Sequence, residues 1–264
     1  MPQSSYEDPL SAGEGEEFEE DLISFCDQQL DLLGDIGGLD VLYAGGSSVL
    51  WIEGLSQRIG PHGSLVVLDL DSEALEATRE RLPGAGLASP VDLVAGDVFT
   101  PPLESSTLDL AYSAGLFHEL DVAEKPAGEA LSSLARVVRG GGRIATTDFV
   151  NSIPAAQIED ENLQGALMAE LRGARPYGIG PPERLVALHE SLLEAVCWRV
   201  LPPHPIRHFE KIALAEKEPA GLSLLPAGVR NRFRGRHEAL RHRIRHQGYS
   251  RPATLYVEGR VAGD

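Results

Sequence analysis

A chain of 264 residues, 42% of them hydrophobic, is long enough to bury a sizeable core, and this composition excludes global disorder. A formal net charge of −17, from 23 basic against 40 acidic residues, argues against general binding to phosphate backbones or anionic lipid. No run approaches the roughly 18–20 apolar residues of a membrane helix. Residues 1–20 lack the basic segment and apolar run of a secretory signal. Cys26 and Cys197, the two cysteines, read as reduced thiols rather than as a disulfide framework. A cytoplasmic protein is expected. Lysine is confined to Lys125, Lys211 and Lys217, against 20 arginines, which fits a salt-adapted proteome and a GC-rich genome equally well.

In chain order, residues 1–13 read as a loose arm. From Glu14, an acidic run carrying Phe18, Leu22, Phe25, Cys26, Leu30 and Leu33 at helical spacing predicts an amphipathic helix, ended by Gly34, Gly37 and Gly38. A strand at 41–43, a glycine turn at 45–48 and a helix face of Ile52, Leu55 and Ile59 follow. Residues 64–68 predict a second strand ending at Asp69. Ser72 is the expected N-cap of a helix with Leu75, Thr78 and Leu82 inward. Further strands are expected at 91–94, 108–112 and 143–149. Before the last of them runs a helix with Ala127, Leu131, Leu134 and Val138 on one face, stopping at Gly140, Gly141 and Gly142. Short apolar strands alternating with helices imply a parallel sheet covered on both faces. Right-handed crossovers then place the ligand-binding loops at the carboxyl ends of the strands. Gly45, Asp69, Asp97 and the segment from Ser113 to His118 fall around one crevice.

Past Phe149 the pattern loosens. Helices are expected at 155–171 and from Pro181-Pro182, the latter with Leu185, Leu188 and Leu192 inward, and strands at 196–201 and 254–261. Residues 202–250 exceed a hairpin loop and read as a helical insertion covering the crevice, or as a flexible excursion.

Gly45-Gly46 after a strand lets a ligand approach the backbone, and the next helix offers free N–H groups. The G-x-G-x-x-G of dinucleotide sites is incomplete, which disfavours pyrophosphate. Asp69 ends the second strand, where a carboxylate accepts both hydroxyls of a ribose. Asp97 follows the third, where a carboxylate can accept from an adenine amino group. Each aspartate alone reads first as a turn former or N-cap; together, behind a glycine turn, they favour an adenosine pocket.

The succession VLYAGGSS, VVLDLD, VAGDVF, LDLAYSAGLFHELD and LARVVRGGGRIATTD resembles the class I S-adenosylmethionine-dependent methyltransferase family over about residues 38–150. The resemblance implies an α/β fold with a doubly wound, mostly parallel seven-stranded sheet (Rossmann-like) and a helical lid. It divides the chain into an arm and helix at 1–37, a cofactor-binding core at 38–150, and a substrate and lid region at 151–264. It also implies S-adenosylmethionine as cofactor. Tyr43, Gly45, Gly46 and Ser47 would lie along its methionine part, Asp69 and Leu70 at the ribose, Asp97 and Val98 at the adenine, and the backbone of Ser113 and Ala114 at the sulfonium.

Three positions depart from the family pattern. Tyr43 replaces an acidic residue that helps hold the cofactor's ammonium, and Ser47 and Val49 replace glycines. One lost charge-assisted hydrogen bond costs about 1.5–3 kcal/mol, which the Ser47 or Ser48 hydroxyl could offset in part. Val49 resists positive φ, so the loop is expected to differ locally from the family's.

His118 and Glu119 are the candidate catalytic bases; for His118 a packing or loop-capping role is the competing reading. Residues 229–247 predict a basic amphipathic helix, with Arg230, Arg232, Arg234, Arg236, Arg241, Arg243 and Arg245 around a stripe of Val229, Phe233, Leu240 and Ile244. Its arginines pair with acidic faces such as Glu14 to Asp21, recruit an anionic small-molecule substrate, or, least favoured, bind nucleic acid. His204 and His208 share i, i+4 spacing, but Pro205 disfavours a helix there and no metal is expected. The leading function is methyl transfer to a small molecule. The alternatives are a non-catalytic cofactor-binding regulator or scaffold, and a relative that keeps the cofactor for other chemistry.

Overall fold

The computed structural model describes residues 10–172, 182–215 and 221–263; the first nine residues of the expected arm, Pro181 and part of the insertion lie outside them, and residues 12 and 13 of that arm are already helical. The elements are α1 (Ala12–Leu30), β1 (Asp40–Ala44), α2 (Val49–Ile59), β2 (Ser64–Asp69), α3 (Ser72–Arg81), β3 (Val91–Ala95), β4 (Leu108–Ala114), α4 (Leu116–Val122), α5 (Ala127–Val137), β5 (Val138–Val150), α6 (Ala156–Arg172), α7 (Pro182–Leu192), β6 (Glu194–Leu201), β7 (His204–Ile206), α8 (Phe209–Ala215), α9 (Ala227–Gln247), β8 (Tyr249–Arg251) and β9 (Ala253–Arg260). They divide into two compact units, each drawn from separate stretches of chain.

The larger unit takes residues 26–150, 182–201 and 254–263. Its seven strands lie in the order β3-β2-β1-β4-β5-β9-β6. The first five run parallel, and β6 is antiparallel to β9. This is the doubly wound sheet expected from the alternating pattern. Alternate residues face opposite sides of a strand. Val41 and Tyr43, Leu65 and Val67, and Leu110 and Tyr112 therefore share one face. They form a single cluster there with Cys26 and Leu30 of α1, Ile52, Leu55 and Ile59 of α2, and Leu75 of α3. Leu42, Ala44, Ala111 and Ile144, of opposite parity, are buried too, so the strands read as continuous apolar runs. Helix α5, whose Ala130, Leu131, Leu134 and Val137 stand outside that cluster, packs on β4 and β5.

Several local expectations are corrected. The N-cap of α3 is Asp71, whose carboxylate accepts from the Glu73 and Ala74 amides at 2.9 and 3.0 Å; Ser72 is the first helical residue. Helix α5 ends at Val137 rather than at the triple glycine, because Val138 already pairs with Leu108. The glycines are absorbed into β5, where Gly141 has φ +77° and a side chain on Gly142 would lie 2.8 Å from the Asp109 carbonyl oxygen. In α7, Val186 and His189 are buried with Leu185, while Leu192 is exposed and the next residue, Leu193, turns inward.

The smaller unit takes residues 10–25, 151–172, 202–215 and 221–253. Strands β7 and β8 pair as an antiparallel ribbon. The stripe of α9 is buried as Phe233, His237, Leu240 and Ile244, packed with Leu163 and Leu167 of α6. The acidic face of α1 is met by Arg207, His208 and Lys211. Arg207 pairs with Asp21 at 2.9 Å and Glu20 at 3.1 Å, His208 with Glu17 at 2.5 Å, and Lys211 with Glu14. Among the α9 arginines, Arg243 pairs with Glu159 of α6, and Arg236 lies 5.5 Å from the Phe233 ring centroid. No helix among the described residues is long and apolar enough to cross a membrane.

Candidate functional site

A cleft of about 550 Å³, within the usual size range for small-molecule sites, opens in the larger unit where β1, β2 and β3 end. Gly45 and Ser47 reach it from β1, Asp69, Leu70 and Asp71 from β2, and Asp97, Val98 and Phe99 from the turn after β3. Leu116, Glu119 and Leu120 of α4 line it as well, with Lys125 beyond them. Parallel pairing of β1 with β2 and of β2 with β3 brings these strand ends level, with Ala44 opposite Leu68 and Asp69 opposite Ala95.

The glycine loop needs left-handed backbone at one place. Gly45 has φ +72°, and a side chain there would lie 2.6 Å from Leu116 Cδ1. Ser48 is extended (φ −71°, ψ 120°), and Val49 is the first residue of α2 with no positive φ. Val49 thus avoids positive φ, as expected of a β-branched residue, which is at ease in the first helical turn.

Tyr43 stands behind this loop, not on the cleft. Its ring stacks on Tyr112 with centroids 5.9 Å apart, tilts against Trp51 at 6.5 Å, and fills the space a side chain on Gly46 would need. Burial drives its phenol far above the ordinary pKa, so it stays neutral.

Asp69 is half-buried. Burial raises its carboxyl above the ordinary range, against the opposing hydrogen bond from the Asp71 amide at 2.9 Å. A partly desolvated carboxylate of this kind gains from hydroxyl donors on a ligand. Asp97 accepts from the Phe99 amide at 3.0 Å and is exposed. Leu70, 73% exposed, offers an apolar surface beside it.

Ser113, Ala114 and His118 do not line the cleft. Ser113 is buried and donates to Thr146 Oγ1 at 3.2 Å, while Ala114 packs against the core. His118 lies inside the first turn of α4, between two carboxylates. Its Nδ1 is 2.8 Å from Asp148 Oδ1, and its Nε2 is 3.3 Å from Glu119 Oε1. Burial opposes the imidazolium, but the hydrogen bonds to Asp148 and Glu119 outweigh it and lift the pKa to about 9. His118 is therefore a donor at neutral pH. His189 of α7 is the opposite case: burial holds it neutral with a pKa of about 4, its Nδ1 on the Leu185 carbonyl at 2.9 Å and its Nε2 3.2 Å from Thr146 Oγ1.

The family model described as a methyltransferase domain matches residues 39–146, the stretch that supplies most of the cleft. That stretch is similar to the methyltransferase-domain family. A ubiquinone/menaquinone biosynthesis C-methyltransferase from Idiomarina loihiensis is 31% identical to this chain over 142 residues, 51% of this chain and 55% of that protein. The chain spans about half the length of the curated relatives it matches. Among solved structures, geranyl diphosphate C-methyltransferase from Streptomyces coelicolor A3(2) superposes with a TM-score of 0.59 at 10% identity, covering 98% of this chain and 86% of that one. The [4+2]-cyclase SpnF superposes with a TM-score of 0.55 at 15% identity, covering 92% and 80%. At these identities the two likenesses speak for the fold alone.

The cleft fits S-adenosylmethionine, the cofactor that the resemblance implies, on its own geometry. It has a side-chain-free approach at Gly45, an under-solvated carboxylate at Asp69, an apolar shelf at Leu70 and a carboxylate at Asp97, all on one cleft. Sequence reasoning passed over Asp71, Leu116, Leu120 and Asp148. A charged residue inside the buried run IATTDFV was the available signal for Asp148; the α4 residues gave none, because the seven-residue helix was not recognised as one.

Proposed function

We propose that this protein is an S-adenosylmethionine-dependent methyltransferase acting on a small molecule, with Asp69 as the ribose carboxylate and Asp97 at the adenine. The observation that carries the reading is the convergence of Gly45, Asp69, Leu70 and Asp97 on one cleft inside the matched domain. S-adenosylmethionine, when bound, supplies a methyl group on a sulfonium for in-line displacement. The protein's part is to bind, orient and exclude water. His118, protonated below about pH 9, serves as a donor and not as the base expected from its position in the sequence. That favours an acceptor which arrives already nucleophilic, and the C-methyltransferase names of the relatives favour carbon as the acceptor atom.

Isothermal calorimetry with S-adenosylmethionine and S-adenosylhomocysteine tests the binding half of this reading. Micromolar binding is expected, weakened tenfold or more by Asp69→Ala. Unchanged affinity in that variant would remove Asp69 from the site. A second reading, a cofactor-binding relative that transfers no methyl group, draws on Tyr43, whose side chain brings no charge to the cleft. It predicts binding without turnover on any acceptor.

A further inference from the structure

Asp148 is held on both carboxylate oxygens. It sits in β5 with its carboxylate shut off from solvent. Its Oδ1 takes His118 Nδ1 at 2.8 Å and the Phe149 amide at 2.7 Å; its Oδ2 takes the amides of Phe117 at 2.9 Å and His118 at 3.0 Å. Gly115 is the N-cap of α4 and has no side chain to offer, so Asp148 caps the helix from the neighbouring strand. The far nitrogen of His118 reaches Glu119, and Glu119 faces the cleft. The charges run minus, plus, minus from the core to the cleft wall.

We propose that Asp148, His118 and Glu119 form a relay in which Asp148 is a positioning residue and Glu119 presents a fixed carboxylate to the ammonium group of the bound cofactor's amino-acid end. The inference rests on the cofactor reading above and deepens it. Tyr43, where a carboxylate would otherwise help to hold that ammonium, is buried and neutral, so the charge has to come from another part of the wall. Glu119 is suited to it. The hydrogen bond from His118 lowers its carboxyl below the ordinary range, which makes it a weak proton acceptor and a persistent anion. The other charged groups of the cleft are Asp69, Asp71, Asp97 and Lys125. Asp71 is committed to capping α3, and Asp69 and Asp97 stand at the ends of β2 and β3 on the ribose and adenine side.

The test compares two probes on the full chain by calorimetry. S-adenosylhomocysteine carries the ammonium; methylthioadenosine has the same nucleoside and thioether without the amino-acid end. Glu119→Gln is expected to weaken S-adenosylhomocysteine about tenfold and leave methylthioadenosine unchanged. Equal affinity of wild type and variant for S-adenosylhomocysteine would overturn the proposal, as would an equal loss for both probes. Failure of wild type to bind either probe would instead overturn the cofactor reading. For the positioning residue, Asp148→Asn is expected to move in the direction of Glu119→Gln and to shift the His118 imidazole titration, followed by NMR, down from about 9. A folded Asp148→Asn variant with an unmoved His118 titration would remove Asp148 from the relay.

Discussion

Replacing Asp148 with alanine is expected to cost about 3–5 kcal/mol of stability, the range for breaking a buried charge pair by removing one partner. The loss has several sources. The amides of Phe117 and His118 lose their acceptor inside the protein, and no side chain at Gly115 can take over. The His118 imidazolium loses the partner that offsets its burial. Asparagine keeps the shape and one acceptor oxygen, so Asp148→Asn should cost clearly less. Denaturant unfolding with intrinsic Trp51 and Trp198 fluorescence measures both variants. A loss below about 1 kcal/mol for alanine would mean that α4 docks without its cross-strand cap.

Stability is also expected to peak near pH 6.5, with a fall of about 3 kcal/mol on each side, because two buried histidines are displaced in opposite directions. His118 goes from an ordinary 6.5 to about 9. Between those values the folded chain holds a proton that the unfolded chain has released, so its stabilisation is complete below 6.5 and is lost as the pH rises to 9. His189 goes from 6.5 to about 4. Between those values the unfolded chain holds the extra proton, so stability is lost as the pH falls from 6.5 to 4. Thermal midpoints from about pH 4 to about pH 9.5 should show both limbs. His118→Gln is expected to flatten the alkaline limb alone, and His189→Gln the acid limb alone. An alkaline limb that survives in His118→Gln would refute the assignment.

The sheet and the strand-end carboxylates were legible because their signals are local. A parallel strand buried on both faces is an apolar run, and its end is marked by the glycine or aspartate that follows, as at Gly45, Asp69 and Asp97. What escaped depends on register between distant segments. Asp148 reaches α4 only because β5 pairs with β4 so that Thr147 lies opposite Ala114. The partners of the acidic run were equally hidden: Arg207, His208 and Lys211, far along the chain, are set against it by the fold of the smaller unit. Val49 was legible for a local reason too: a β-branched residue resists positive φ, and Val49 opens α2 without one.

The placement of β9 bears on how the chain is made. This strand, at residues 253–260, lies inside the sheet between β5 and β6, and Gly141 donates to the carbonyl of Val261 across more than a hundred residues. During synthesis β1 to β5 emerge long before it, so the hydrogen-bonding edge of β5 stands open while the intervening chain is produced. Closing so long a loop makes the last strand a slow, late step. Ribosome-bound chains stopped short of residue 253 should therefore recruit chaperones that recognise exposed strands, and should release them once β9 has emerged.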